Sequence, residues 1–184
     1  MIPPIEVCFQ LMDTYQMLGN IKAHSVMVAK VGHLIASDLR KAGVDISVEL
    51  TTAASLLHDI GKTASLDSGE DHAEMGRQIC LQNGLEEIGD IVAEHVRLKR
   101  YNVHGNYSEK EIVFYADKRV NHDKIVSLEE RLKYLITRYA KGRKLLIDAI
   151  KMNFEICKKV EKKLFSELDF PPESLPQLAR SEMI

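Results

Sequence analysis

Six side chains that could bind metal ions are spread along the chain, each close to residues that are expected to face a core. Four are histidines, one of which is followed directly by an aspartate, and a second aspartate lies later. Imidazole suits Zn, Fe, Ni or Mn, while a carboxylate is a harder ligand that can bridge two ions. Helical bundles build metal sites from one or two such inward side chains per helix. The candidates are His24, His58, Asp59, His72, His95 and Asp117.

The two aspartates carry the strongest chemical argument. Asp59 follows an apolar pair at 56–57, and Asp117 follows an apolar run at 113–116. A carboxylate buried without a partner is costly, so each needs a cation or hydrogen bonds. A metal ion would provide that compensation, and it would also lower the pKa of a bound water and so produce a hydroxide nucleophile near neutral pH.

The other three histidines, His33, His104 and His122, are expected to be ordinary hydrogen-bonded residues. A lone histidine on an apolar helix face is more often a core residue than a ligand. His104 lies in a loop rich in Gly and Asn and is expected to face solvent. An adjacent His-Asp pair considered alone would have the same structural interpretation, so the prediction of a metal site depends on the whole set.

The elements that position these side chains are predicted to be helices. Apolar residues recur at intervals of three and four along nearly the whole chain, and no alternating strand pattern of useful length is present. Residues 1–184 are therefore expected to form a single all-α domain of seven to nine helices. We expect a metal-site core at 20–135, a long C-terminal helix at 141–168 and a loosely packed tail with proline at 171–184.

Local signals predict where individual helices begin and end. Ser47 and Asp71 are expected to be N-caps, and Ser108 and Ser127 each precede a glutamate by three residues, as in a capping box. Residues 63–71 are small and polar and are predicted to form a loop. The predicted helices cover residues 5–18, 21–41, 48–61, 71–83, 85–98, 108–120, 127–140 and 143–168.

Composition excludes several classes of protein. Hydrophobic residues make up 45% and charged residues 28%, which is typical of a globular protein, and the net charge of −2 argues against dedicated nucleic-acid binding. Three well-separated cysteines favour neither a disulfide framework nor a structural zinc site. No signal peptide and no apolar run of about 18 residues is present, so we expect no membrane association and a cytoplasmic location.

Residues 58–62, His-Asp-Ile-Gly-Lys, make the set more specific, because together with His24 and Asp117 they resemble the HD superfamily of metal-dependent phosphohydrolases. That superfamily is characterised by a His, then a His-Asp pair, then a distant Asp. The resemblance covers about residues 20–135. It implies an HD-type helical bundle with a metal site at its centre. Gly61 is expected to permit the turn after the His-Asp pair.

His72 and His95 extend the resemblance to HD proteins that hold two metal ions, including the branch of symmetrical diadenosine tetraphosphate hydrolases. The resemblance implies that Asp59 bridges the ions, with His72 and His95 on the second ion and the remaining three ligands on the first. One or two divalent ions of Fe, Mn, Ni, Co or Zn are expected. The residues after His95 differ from the Thr-rich turn of the diadenosine tetraphosphate hydrolases, and the Gly-Tyr-Pro motif of the similar cyclic-dinucleotide phosphodiesterases is absent, so the substrate stays open.

A set of basic residues near the ligands indicates an anionic substrate. Lys62 follows the His-Asp pair by three residues and is expected to bind a substrate phosphate, although it could instead be a partner of a helix C-terminal dipole. Arg97, Arg100 and Lys118 flank the two late ligands and are expected to bind substrate as well. Asp59 and Lys62 are the predicted catalytic residues.

These features predict an enzyme that cleaves a phosphoester or phosphoanhydride through a metal-activated hydroxide. The expected partner is a nucleotide or a related small phosphorylated metabolite. Two alternatives use the same scaffold: a non-catalytic regulatory module that binds metal or nucleotide, and a di-iron oxygenase. A complete ligand set favours the enzyme, because a purely structural domain has no need of six polar groups at its centre.

Overall fold

The computed structural model describes residues 1–182 and 184, and helices form nearly all of the regular structure there. Nine helices of seven or more residues are present in this described part, which confirms the all-α prediction. None of the described helices is both long enough and apolar enough to cross a membrane. The elements are α1 Ile5–Thr14, α2 Gly19–Lys41, α3 Val48–Leu57, α4 Lys62–Ser68, α5 His72–Gln82, α6 Glu86–Val92, α7 Glu109–Lys118, β1 Val120–Asn121, β2 Lys124–Ile125, α8 Leu128–Leu135, α9 Lys144–Phe165 and α10 Leu175–Leu178.

Helix α2 lies at the centre of the bundle and packs mainly against α3 and α7. Its residues Val28, Val31, Ile35 and Leu39 are fully buried, as their spacing of three and four predicts. One apolar cluster joins α2 and α7 to α9 and to the C-terminal residues. A second cluster joins α1, α3, α5 and α6. The metal-ligand candidates lie on helices that these two clusters hold together.

The predicted helix starts are confirmed by their capping hydrogen bonds. The backbone N–H of Leu50 donates to the Ser47 hydroxyl at 3.1 Å, and the N–H of Ala73 donates to the Asp71 carboxylate at 2.9 Å. Ser108 and Ser127 form complete capping boxes. Each cap satisfies a backbone donor that the first turn of a helix leaves free, which is why a local pattern identifies it.

Two local predictions are wrong for the same physical reason. Most of residues 63–71 is helical, because α4 spans Lys62–Ser68 and ends at Gly69, whose φ of +73° suits glycine. This helix has no buried residue and packs on α5, so it lacks an apolar pattern. Conversely, α6 ends at Val92 although apolar spacing continues to Leu98. Tertiary packing decides both cases, and the periodicity of a sequence carries no information about it.

The C-terminal segment also departs from expectation. Residues 136–140 form a π-helical turn after α8 rather than continuing it as an α-helix. The tail was expected to pack loosely, yet Leu175 and Ala179 are fully buried in the apolar cluster around α9. The Arg119 guanidinium donates to the Pro172 carbonyl at 3.1 Å, which ties the tail to the end of α7.

Gly61 has a different role from the one expected. Its φ of −81° is open to any residue, so the turn itself does not require glycine. A Cβ built at Gly61 would instead lie 2.5 Å from the carbonyl oxygen of His72 and would overlap the backbone of Gly76. Glycine is therefore needed because the chain after the His-Asp pair passes directly against the first turns of α5.

The substitution Gly61→Ala should destabilise the fold by about 1–3 kcal/mol, since the colliding atoms are backbone and cannot rotate away. Chemical denaturation measures the loss. Gly19→Ala is the matched control, because no atom lies within 4 Å of a Cβ at that position and the residue begins α2. The control should leave stability unchanged or raise it by about 0.4–1 kcal/mol. Equal effects of the two substitutions would contradict this account.

Candidate metal centre

The structure brings all six predicted ligands together where five elements converge. α2 provides one histidine, the end of α3 provides the His-Asp pair, α5 and the turn after α6 each provide a histidine, and α7 provides the second aspartate. Four of the six are at most 6% exposed, while His72 and Asp117 are partly buried. The four imidazole rings form a continuous series with neighbouring centroids 5.0–5.3 Å apart. The six residues are His24, His58, Asp59, His72, His95 and Asp117.

One group of ligands surrounds His58. Its Nε2 lies 3.5 Å from Oδ2 of Asp59 and 3.7 Å from Oδ1 of Asp117. The Nε2 of His24 lies 3.0 Å from the same Asp117 oxygen. The ligand atoms of His24, His58 and Asp59 all lie within 4.8 Å of one another, a spacing that one metal ion could span.

A second group lies on the other side of Asp59. The Nε2 atoms of His72 and His95 are 3.2 Å apart, and each lies 3.5 Å from Oδ1 of Asp59. Asp59 therefore presents Oδ2 to His58 and Oδ1 to the pair of later histidines. The two oxygens of Asp59 thus face two separate groups of side chains that could each hold a metal ion.

Backbone carbonyl groups orient three of the imidazoles. The Nδ1–H groups of His58 and His95 donate to the carbonyls of Ser55 and Val92, at 2.7 and 2.6 Å. Nδ1 of His24 lies 2.9 Å from the carbonyl of His122, which makes the same type of contact. Donation through Nδ1 leaves Nε2 as the free acceptor that faces the centre. Metal-binding histidines are held in this way, because the second nitrogen fixes the tautomer and the ring orientation.

Two orphaned atoms show that the residues fit a divalent cation. Nε2 of His58 and Oδ1 of Asp59 are buried and have no hydrogen-bond partner among the described residues. Leaving buried polar atoms unpaired costs roughly 1–3 kcal/mol each, more for a charged group. A cation between them would satisfy both atoms at once, and the donor set of imidazoles and carboxylates suits a divalent transition metal.

The local electrostatics place three candidate ligands in their metal-binding forms. Burial, and next the neighbouring His95, lower the pKa of His72 to about 4, so its imidazole is neutral at pH 7. Burial also lowers the pKa of His95. Burial alone would raise the pKa of Asp59, but the adjacent His58, His95 and Lys62 outweigh it and hold that pKa well below its usual value. His58 differs, because burial alone would lower its pKa but the neighbouring carboxylates outweigh it and raise that pKa, so a metal ion there competes with a proton.

Lys62 lies beside this centre. Its Nζ is 2.7 Å from Oδ2 of Asp59, and its side chain is about one-third exposed (34%). Lys62 is the first residue of α4, where the helix dipole favours negative rather than positive charge. Among the described residues Nζ of Lys62 makes its hydrogen bond to Asp59 and none to a carbonyl at the end of α3.

A cavity of about 240 Å³ opens next to the centre. His24, Asp59 and Lys62 form part of its wall, and α8 with the π-helical turn forms the facing side. Arg131 and Arg138 bring positive charge to that side. Sequence reasoning missed both arginines, although the capping box at 127–130 had located their helix and their spacing of seven places them on one face.

The structure does not bring the other predicted substrate residues to this cavity. Lys118 is 4% exposed, and its Nζ donates to the carbonyl of His95 and lies 3.1 Å from Oδ2 of Asp117. Lys118 therefore helps to hold two candidate ligands, His95 and Asp117, in place. Arg97 and Arg100 are exposed and are not among the residues that form the cavity wall. α6 ends at Val92, so these two arginines lie in the irregular segment that replaces the end of the predicted helix 85–98.

The remaining histidines have three different environments. His33 Nδ1 hydrogen-bonds with the Thr52 hydroxyl at 3.1 Å. His104 is exposed in its loop, as expected. His122 is also exposed rather than in the core, with a φ of +55° that places its carbonyl against His24 while the residue lines the cavity.

Comparisons with known proteins give one family match and several relatives that align over part of the chain. The family model described as HD domain matches residues 21–122. An uncharacterised protein of Methanocaldococcus jannaschii is 25% identical over 74% of this chain and 88% of its own length. Ribonuclease Y of Treponema denticola is 40% identical over 33% of this chain, and that of Mycoplasma mycoides is 43% identical over 38%. No solved structure matches the chain.

The match to the family model covers more than half of the chain and contains five elements of the centre described above. The chain belongs to the HD superfamily of metal-dependent phosphohydrolases. It spans only 11% and 15% of the two ribonuclease Y sequences, so their similarity concerns the HD region and not those whole proteins.

Removing bound metal should destabilise the protein, because the buried atoms of His58 and Asp59 would lose their partner. Elemental analysis of protein purified without chelator should give one to two equivalents of a divalent transition metal. A ligand present at a hundredfold excess over its Kd stabilises the native state by about 2.7 kcal/mol, so chelator should visibly lower the Tm.

Two variants sharpen this prediction. His72→Ala should lose the second ion and keep part of the first, whereas Asp59→Asn should weaken both. His104→Ala is the control, since His104 is exposed in a loop away from the centre. An unchanged Tm in chelator, or full metal content in Asp59→Asn, would rule out the proposed centre.

Proposed function

We propose that this chain hydrolyses a phosphoester or phosphoanhydride bond of a nucleotide or a related small phosphorylated metabolite. Membership of the HD superfamily supports the reaction class. The observation that carries the proposal is the position of Asp59, which lies between two groups of histidines and borders a cavity that also contains Lys62 and two arginines. Cations beside a metal centre suit an anionic phosphate.

In the proposed arrangement Asp59 would be a ligand common to two ions. His24, His58 and Asp117 would complete the first set of ligands, and His72 and His95 would complete the second. The separate orientation of the two Asp59 oxygens supports this assignment. A divalent metal in such a site supplies activation of water and neutralisation of charge on phosphoryl oxygens.

The residues of the chain have distinct parts in the proposed reaction. Lys62 is held at Asp59 and has its pKa raised, since the charges of Asp59 and Asp117 outweigh the effect of burial. It therefore keeps its positive charge and can bind a phosphoryl oxygen. Lys118 holds Asp117 and the backbone at His95, which keeps two ligands in place.

A substrate panel tests the reaction class. Metal-loaded protein is incubated with nucleoside mono-, di- and triphosphates, dinucleotides, sugar phosphates and a short RNA, and released phosphate or shortened product is measured. Turnover that depends on metal supports the proposal. Nucleotide binding without turnover would favour the regulatory module, and oxygen consumption without phosphate release would favour the oxygenase.

Lys62→Ala should lower kcat/KM about 10²-fold while metal content stays the same, since it removes one electrostatic stabiliser and no ligand. Lys22→Ala is the matched control, because Lys22 forms an ion pair with Asp13 outside the cavity. Unchanged kinetics in Lys62→Ala would exclude a role of this lysine in the reaction, and loss of metal would make it part of the centre instead.

A further inference from the structure

Exposed apolar side chains surround the mouth of the cavity. Leu18, Leu66 and Tyr139 are 45%, 65% and 49% exposed, and all three line this cavity. They come from three different parts of the chain: the turn before α2, helix α4 and the π-helical turn at 136–140. Apolar groups that meet around one opening mark a binding site for an apolar group more often than scattered single residues do.

The inner part of the cavity is polar and positively charged instead. Arg131 is mostly buried; it donates to the side chain of Asn121 at 3.0 Å and lies 3.8 Å from Oδ1 of Asp117. Its Nε is buried without a hydrogen-bond partner among the described residues. Arg131 is therefore held beside the metal centre, and its Nε–H group has no acceptor among the described residues. Arg138, two helical turns further on, is exposed and lines the same cavity.

The π-helical turn contributes two consecutive residues, Arg138 and Tyr139, to the cavity wall. Arg131, Tyr134, Arg138 and Tyr139 follow the spacing i, i+3, i+7 and i+8, so one face of α8 and the turn carries all four. Such π-helical insertions are frequent at functional sites.

The size of the cavity limits how much of a ligand it encloses. Sites that bury a whole small molecule are usually about 300–1,000 Å³. This cavity of about 240 Å³ is smaller, so part of a nucleotide-sized ligand would stay at the mouth. The charged interior suits the phosphate end, and the apolar rim suits a flat apolar end.

We infer that α8 and the π-helical turn determine substrate specificity: Arg131 and Arg138 bind the phosphate, and a flat ring of the substrate lies between Leu66 and Tyr139. The substrate class is a phosphate ester whose organic part carries a flat ring, such as a nucleobase. This inference rests on the proposed function for its reaction and names the recognition that accompanies it. These recognition residues lie outside the residues matched by the family model, except Leu66.

Two ligands that share sugar and phosphate test the inference, namely a nucleoside 5′-monophosphate and ribose 5-phosphate. Binding is measured by calorimetry on metal-loaded protein with non-hydrolysable phosphonate analogues of the two ligands, and kcat/KM is measured with the ligands themselves. Tyr139→Ala should weaken binding of the nucleotide about 10-fold and leave ribose 5-phosphate unchanged, because stacking on a base is lost. Arg138→Ala should weaken both ligands to a similar degree.

Leu145→Ala is the control, because Leu145 is also an exposed apolar residue (86%) but lies on α9, away from the cavity. It should change neither ligand. If Tyr139→Ala affects both ligands equally or neither, or if the nucleotide does not bind, the inference is wrong. Base-dependent binding without hydrolysis would uphold this recognition and refute the proposed reaction. Hydrolysis of both ligands with no effect of Tyr139→Ala would uphold the proposed reaction and refute this recognition.

Discussion

Burial of the Asp59 carboxylate is the constraint on which the rest of this structure depends. The residue is 1% exposed, and one of its oxygens has no hydrogen-bond partner among the described residues. A charge in such a place is stable only when cations or donors face it. Lys62 does so directly, and the Nε2 atoms of His58, His72 and His95 lie 3.5 Å from the carboxylate as further ligands for a shared cation. The packing of the helices therefore has to place these groups around one carboxylate.

Placing these groups around Asp59 requires close approach of backbone segments as well as burial of apolar side chains. The chain after Asp59 passes against the first turns of α5 at Gly61 and Gly76, where no side chain would fit. Carbonyl groups in the last turns of α3 and α6 then fix the imidazoles of His58 and His95 through their Nδ1 atoms. Fold and site share these helix ends, because each acceptor lies three residues before the histidine that it orients.

The region after the family match completes the site. Arg119 joins α7 to α9 and to the tail through contacts with Tyr115, Glu161 and Pro172. That network holds the C-terminal part of the chain against the core, and α8 with its π-helical turn then forms one wall of the cavity. A shared core with a separate wall explains how members of one superfamily can keep a metal site and differ in substrate.

Residue types and their spacing were enough to predict the helical class, the caps at residues such as Ser108, and the six candidate ligands, because these depend on local hydrogen bonds and on residue types with few other uses. Packing between distant segments set the helical form of α4, the contact of Lys118 with Asp117, and the presence of Arg131 and Arg138 at the cavity in place of Arg97 and Arg100. These outcomes depend on contacts between residues far apart in the chain. Spacing along a sequence contains no measure of such distances, since packing of whole helices sets them.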